Sequence, residues 1–180
     1  MEQLLSSETW NDFRKLLNME KTFCSCTDYY SALVGWIKDN TEIFDISILQ
    51  NNRIIELLDL DPEKYIIDNP NISLDMEPVR MFNSKPSTLD SFMMCISTTL
   101  WELVSISSDT ECPYCIYAEL KYMIFESNLT KKRELVLECE ECGYAELING
   151  KGWNKGTANV FPANKKDLEK FGVKISSSST

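Results

Sequence analysis

Residues 111–115 read "ECPYC" and residues 138–144 read "ECEECGY", so two pairs of cysteines, each with two residues between its members, flank a stretch that reads as a β-hairpin. In such a pair both thiolates of one tight turn can reach a single ion at about 2.3 Å, and two turns supply four ligands for a closed tetrahedron. The spacer between Cys115 and Cys139 is 23 residues, a length that suits one hairpin. Gly143, directly after the second pair, tolerates a positive φ and lets that turn aim its amides at the sulfurs.

The hairpin reading rests on composition. "AELKYMIFES" (118–127) and "RELVLEC" (133–139) are rich in aromatic and branched residues and are separated by the polar "NLTKKR" (128–133), while "GYAELING" (143–150) adds a third short strand. Beyond it, "KGWNKGTANVFPANKKDLEKFGV" (151–173) begins Gly-rich and is expected to finish in a short helix around Lys165 to Phe171, with a frayed "SSSST" terminus.

Upstream of residue 110 the period is helical. "SSETWNDFRKLLNMEK" offers Thr9 as an N-cap and repeats Trp10, Phe13, Leu16 and Leu17; "CTDYYSALVGWIKDN" offers Thr27 and the stripe Tyr30, Leu33, Val34 and Ile37, ending near Asp39 and Asn40. "ISILQNNRIIELLDL" reads as a third helical pattern with Ile48, Leu49, Ile54, Ile55, Leu57 and Leu58 inward, and Asp61 with Pro62 starts another. The Pro-rich "NPNISLDMEPVRMFNSKPS" reads as a packed irregular connection whose Met76, Val79, Met81 and Phe82 need a core. "STLDSFMMCISTTLWELVSI" is apolar almost all round and is expected to be the central helix, with Cys95, Met93 and Met94 in the core. The expected fold class is therefore α+β, a mainly α-helical acidic domain over 1–108 followed by a small antiparallel sheet over 109–180.

The paired cysteines joined by a hairpin resemble the zinc-ribbon family over residues 112–148, about a fifth of the chain. That resemblance implies a structural Zn2+ held by Cys112, Cys115, Cys139 and Cys142, stabilising a subdomain with little core of its own. Four sulfur ligands leave no open position for water, unlike a catalytic zinc. Free buried cysteines and a redox dithiol are the competing readings of the same residues. A tetrathiolate zinc carries a formal charge of about minus two. Lys121, Lys131, Lys132 or Arg133 could offset it, although their ordinary role is a solvated hairpin tip. Cys24 and Cys26, one residue apart, suit packing better than a knuckle.

The chain has 180 residues and no histidine, which removes the commonest general base and the Ser-His and Cys-His nucleophile pairs. The close carboxylates Asp59, Asp61 and Glu63, and likewise Asp75 and Glu77, read as caps and dipole partners before they read as an acid–base pair. "NGKGWNKGT" is not a complete phosphate-binding loop. No signal peptide and no run long enough to span a bilayer is visible, so a cytoplasmic protein with no membrane partner is expected.

Net charge is −10, and its distribution is uneven. Residues 1–110 hold 18 Asp and Glu against 8 Lys and Arg, a difference of −10, whereas residues 111–180 hold 10 of each. An acidic surface repels phosphate backbones and attracts basic partners. Zinc ribbons often serve nucleic-acid machinery, but the charge argues against direct nucleic-acid binding. An acidic chain without evident catalytic residues is similar in general character to bacterial immunity proteins, which neutralise a basic toxin domain, frequently a nuclease. That resemblance is one of class and implies a basic protein partner, with Asp59, Asp61, Glu63, Tyr65, Asp68, Asp75 and Glu77 as the candidate contact residues. A zinc-ribbon factor associated with nucleic-acid machinery is the alternative, and an enzyme using carboxylate chemistry is a more distant one.

Overall fold

The computed structural model describes residues 3–17, 25–65, 85–115, 118–153 and 158–174, and it is α+β, with helices first and a curled antiparallel sheet after them. The chain separates into two compact units, Met1–Val104 and Ser105–Thr180. Met76, Val79, Met81, Phe82 and Cys24 lie outside the described residues.

The first unit contains α1 (Ser7–Leu16), α2 (Cys26–Asp39), a 3-10 turn (Thr41–Ile43), α3 (Ile46–Asn51), α4 (Ile55–Leu58), α5 (Pro62–Tyr65) and α6 (Leu89–Val104). Its caps differ from expectation by two or three residues. Ser6, not Thr9, caps α1 by accepting the Thr9 amide at 2.9 Å, and Ser25, not Thr27, caps α2 by accepting from Asp28 at 3.1 Å. Either serine lies three residues before the amide it caps, the spacing at which a side-chain oxygen meets an orphan helix N–H.

The third helical pattern is not one helix. It breaks at Arg53, whose φ is 54°, into α3 and α4. The Arg53 amide bonds the Gln50 carbonyl at 3.0 Å and the Ile54 amide bonds Leu49 at 2.9 Å, which is the Schellman pair, with Ile54 and Leu49 both buried as its apolar contact. The turn docks on α6: Ser97 donates its hydroxyl to the Asn52 carbonyl, Asn52 Nδ2 donates to Asp90 at 3.0 Å, and the Arg53 guanidinium lies 4.0 Å over the Trp101 ring. The break rotates Ile55 out to the surface, against expectation.

Aromatic rings fill the centre of this unit. Phe92 of α6 meets Phe13 at 4.8 Å, Trp36 at 5.8 Å and Trp10 at 6.0 Å, each nearly edge to face, the arrangement that ring quadrupoles favour. Trp36 donates its indole N–H to Asp12 at 3.1 Å, and the Tyr30 hydroxyl donates to the Leu57 carbonyl. α6 is not apolar all round: Met93 is buried, but Met94 and Cys95 face solvent because three-and-four spacing through Phe92, Ile96, Leu100 and Leu103 commits the opposite side to the core. No helix among the described residues is long and apolar enough to cross a membrane.

The second unit is built on β2 (Glu119–Ser127). One edge pairs with β3 (Arg133–Glu138), from Lys121↔Glu138 to Glu126↔Arg133. Its other edge is shared end to end by β1 (Ser107–Glu111) and β5 (Ala158–Pro162), and β4 (Ala145–Leu147) extends the sheet beyond β3. Alternation puts Leu120, Tyr122 and Ile124 with Leu135 and Leu137 on one face, where Ala163 and Leu168 cover Ile124 and Leu135. Phe125, on the other face, meets Trp153 at 4.2 Å.

Leu168 belongs to α7 (Lys165–Lys170), the short helix expected there. Asn164 and Asp167 form its reciprocal cap, and Arg133 reaches Asp167 at 3.3 Å, tying α7 to the hairpin tip. Gly172, at φ 76°, ends it by donating to Glu169 while Val173 donates to Leu168.

Truncating Phe92→Ala is expected to cost about 3–5 kcal/mol in urea unfolding, since it empties the middle of the ring cluster; Leu4→Ala, at an exposed side chain, should cost almost nothing. A second expectation concerns pH. Glu134 accepts from Lys132 Nζ at 2.6 Å and from the Trp153 indole at 3.0 Å, and these bonds, the lysine first, hold its carboxyl below the usual range. A depressed folded value stabilises above the unfolded value and is lost as pH falls through the folded one. The stability difference between wild type and Glu134→Gln should thus be constant above about pH 5 and shrink below it; a difference that is flat with pH would show that the carboxylate contributes nothing.

Candidate metal centre

Two turns at one end of the sheet carry the four cysteines. Cys112 follows β1 directly and Cys139 follows β3 directly, and the β2–β3 register, which starts at Lys121↔Glu138, brings the two turns side by side. In the first, Pro113 presets the φ of the second turn position. The Cys112 amide bonds the Ala118 carbonyl at 2.7 Å, closing the loop, and the Cys115 amide points to Cys112 Sγ at 3.4 Å. The second turn repeats the plan: the Cys139 amide bonds Tyr144 O at 2.8 Å and Gly143, at φ 71°, donates to Cys139 O at 2.9 Å. A side chain at Gly143 would meet the steric cost of that left-handed backbone.

The result is a cluster in which the sulfurs of Cys112, Cys115, Cys139 and Cys142 all lie within 4.8 Å of one another. Cys112 and Cys142, from different turns, have their sulfurs 3.6 Å apart. A tetrahedral ion with bonds of about 2.3 Å needs sulfurs about 3.8 Å apart, so the donor set and its spacing fit a metal such as zinc. Beneath them, Leu120 and Leu137 pack against Cys112 and Cys139, and Tyr144 and Tyr122 close the sides.

Electrostatics makes the same point. Burial pushes the Cys112 thiol up, but amides of Tyr114 and Cys115 and the thiols of Cys139 and Cys142 donate to its sulfur and carry it down to about 7. Cys115 is pushed up to about 12, first by its bond to Cys142 and then by burial, and burial raises Cys139 despite amide donation from Cys142 and Glu141. One thiolate forms readily and its neighbours are then penalised, as expected for like charges in contact. A cation reverses that penalty, and binding then releases protons.

The cations expected to balance the site divide. Lys121 sits opposite Glu138, beside Cys139, but Lys131, Lys132 and Arg133 occupy the far end of the hairpin, where they meet Glu126 at 3.8 Å, Glu134 at 2.6 Å and Asp167 at 3.3 Å. A hairpin of this length places its tip at the opposite end from its closing register pair. Sequence inspection missed the roles of Ala118 and Tyr144, which act through backbone carbonyls and so leave no mark in residue type.

Of the remaining site candidates, Asp59, Asp61 and Glu63 are exposed around α4 and α5 and Tyr65 is half-buried, while Asp68, Asp75 and Glu77 lie outside the described residues. Asp59 meets Lys38 Nζ at 3.2 Å; Asp61 meets Lys64 at 2.9 Å and accepts the Glu63 amide at 3.3 Å, the cap expected before Pro62. Cys26 is buried in α2, as packing predicts.

Titration with Co(II) should show one ion per chain with the intense thiolate charge-transfer and visible bands of a tetrahedral sulfur site, and release at least two protons per ion near pH 7, because Cys115 and Cys139 hold theirs until the ion arrives. Cys139→Ser should abolish those bands; a pink, octahedral spectrum with the wild-type chain would contradict the assignment. Comparison with protein families, with curated proteins and with solved structures finds no match to the chain, so the reading of this centre rests on its own residues.

Proposed function

We propose that Cys112, Cys115, Cys139 and Cys142 hold one Zn2+ as a closed structural site, and that the chain acts by binding rather than catalysis, as an immunity-type inhibitor whose acidic helical unit covers the cationic groove of a basic toxin domain. One observation carries the second part. Within residues 38–65 the carboxylates Asp39, Glu42, Asp45, Glu56, Asp59, Asp61 and Glu63 are exposed, and the same span holds three cations. Each of those is already engaged: Lys38 with Asp59, Lys64 with Asp61, and Arg53 over Trp101.

Exposed ion pairs of this kind are weak, so Asp59 and Asp61 stay available to a better cation. A basic groove approaching this surface gains long-range attraction, which speeds encounter and fixes orientation. Tyr65 supplies a half-buried aromatic at the edge of the acidic stretch, a residue type enriched where interfaces are tightest. Against a nucleic-acid role stands the charge balance: residues 111–180 hold ten Asp and Glu against ten Lys and Arg, so the cysteine-bearing unit has no cationic surplus for phosphates.

The test is to co-express the chain with the basic protein encoded beside its gene and measure association by stopped flow at two salt concentrations. The expected result is a complex that inhibits the partner. The triple change Asp59→Lys, Asp61→Lys and Glu63→Lys should slow association at low salt by about tenfold or more. Failure to associate, together with retention of the chain on heparin or RNA at moderate salt, would overturn the reading in favour of a nucleic-acid factor.

A further inference from the structure

We infer that Cys142 is an oxidant-reactive thiol that forms a disulfide with Cys112, across the two turns, when the centre meets hydrogen peroxide; this rests on the zinc reading above and adds a way for the site to be emptied. The four sulfurs are not equivalent. Cys139 and Cys112 are 0% and 4% exposed, Cys115 is half-buried, and Cys142 is exposed. Every residue of the second turn's outer half, Glu140 to Gly143, is exposed as well. A peroxide must reach sulfur directly, and buried structural cysteines are inert to it, so access selects Cys142.

The sulfur proposed as its partner is in the other turn. Cys112 Sγ lies 3.6 Å from Cys142 Sγ. A disulfide needs about 2.05 Å, so the sulfurs must close by about 1.5 Å. Cys112 and Cys139 are held by backbone bonds to Ala118 and Tyr144 and packed on Leu120 and Leu137, so the movement falls on the exposed turn that carries Cys142.

The chemistry balances with peroxide as the oxidant. Cys142 thiolate attacks one peroxide oxygen; the O–O bond breaks, the sulfur is oxidised to sulfenic acid and hydroxide leaves. Cys112 thiolate attacks that sulfur, an S–S bond forms, the S–O bond breaks and a second hydroxide leaves. Two protons from solvent turn both hydroxides to water. The chain is left with two thiolates, Cys115 and Cys139, too few for a closed four-sulfur site.

The experiment uses the full chain with Cys95→Ser, because Cys95 is also exposed and competes for the oxidant. Zinc content is measured first, then peroxide is added, zinc release is followed with a chromogenic chelator, and disulfides are mapped by peptide mass spectrometry. The expected result is loss of one zinc per chain, a Cys112–Cys142 disulfide, and sulfenic acid trapped by dimedone on Cys142 at about tenfold or more over Cys139. Any other pairing overturns the inference, whether Cys142 with Cys115 across the turns or Cys112 with Cys115 or Cys139 with Cys142 inside one, as does peroxide consumption with all four thiols intact. If the chain holds no zinc at the outset, the metal reading fails by itself, and the disulfide map still decides the thiol chemistry.

Discussion

Four sulfur atoms within 4.8 Å of one another cannot all ionise unless a positive charge sits among them, and the end of the sheet that carries them is shaped by that constraint. Backbone amides are turned toward the inner sulfur of each turn, and the Ala118 and Tyr144 carbonyls fasten the turns to their strands. Among the described residues, Leu120 and Leu137 with the two inner cysteines form the buried cluster below, and Ala118, Tyr122 and Tyr144 pack against it. The four cysteines could hold a metal such as zinc, and an ion bound there would add order to this end, as it does in small domains that fold around their metal. The other half of the sheet has a different support, Leu168 of α7 packed on Ile124 and Leu135 and pinned by Arg133 and Asp167.

Much of this was legible in sequence because it is written in residue type. The cysteine spacing and the alternating β2 and β3 segments carry their chemistry on their side chains. β1 and β5 were not legible: β1, "SSDTE", has no apolar alternation, contains Asp109 at φ 57°, and pairs irregularly with β2. β5 ends on Pro162, tolerable because it lies on an edge. Both are strands because β2 offers them an edge, a tertiary cause that local pattern does not report. The break at Arg53 is similar, for a residue other than glycine in the left-handed region costs about 1–2 kcal/mol locally, and docking of the turn on Ser97, Trp101 and Asp90 offsets that cost.

Charge and core also separate cleanly in the helical unit. Rings from α1, α2 and α6 meet edge to face at its centre, while the carboxylates between Lys38 and Tyr65 stay outside. Asp45 and Asp61 also cap helices, but their carboxylates stay at the surface, and an exposed acidic stretch of this kind underlies the inhibitor reading. Exposed Met94 and Cys95 show the limit of composition alone, since an apolar helix still has an outer side.

Amide hydrogen exchange with and without a strong chelator tests the central claim most directly. If one ion organises the cysteine end of the sheet, removing it should collapse protection of the Cys112, Cys139, Gly143 and Tyr122 amides, whose bonds close and flank the two turns, while amides within α2 and α6 keep theirs. Unchanged protection at those four amides after complete metal removal would contradict the account.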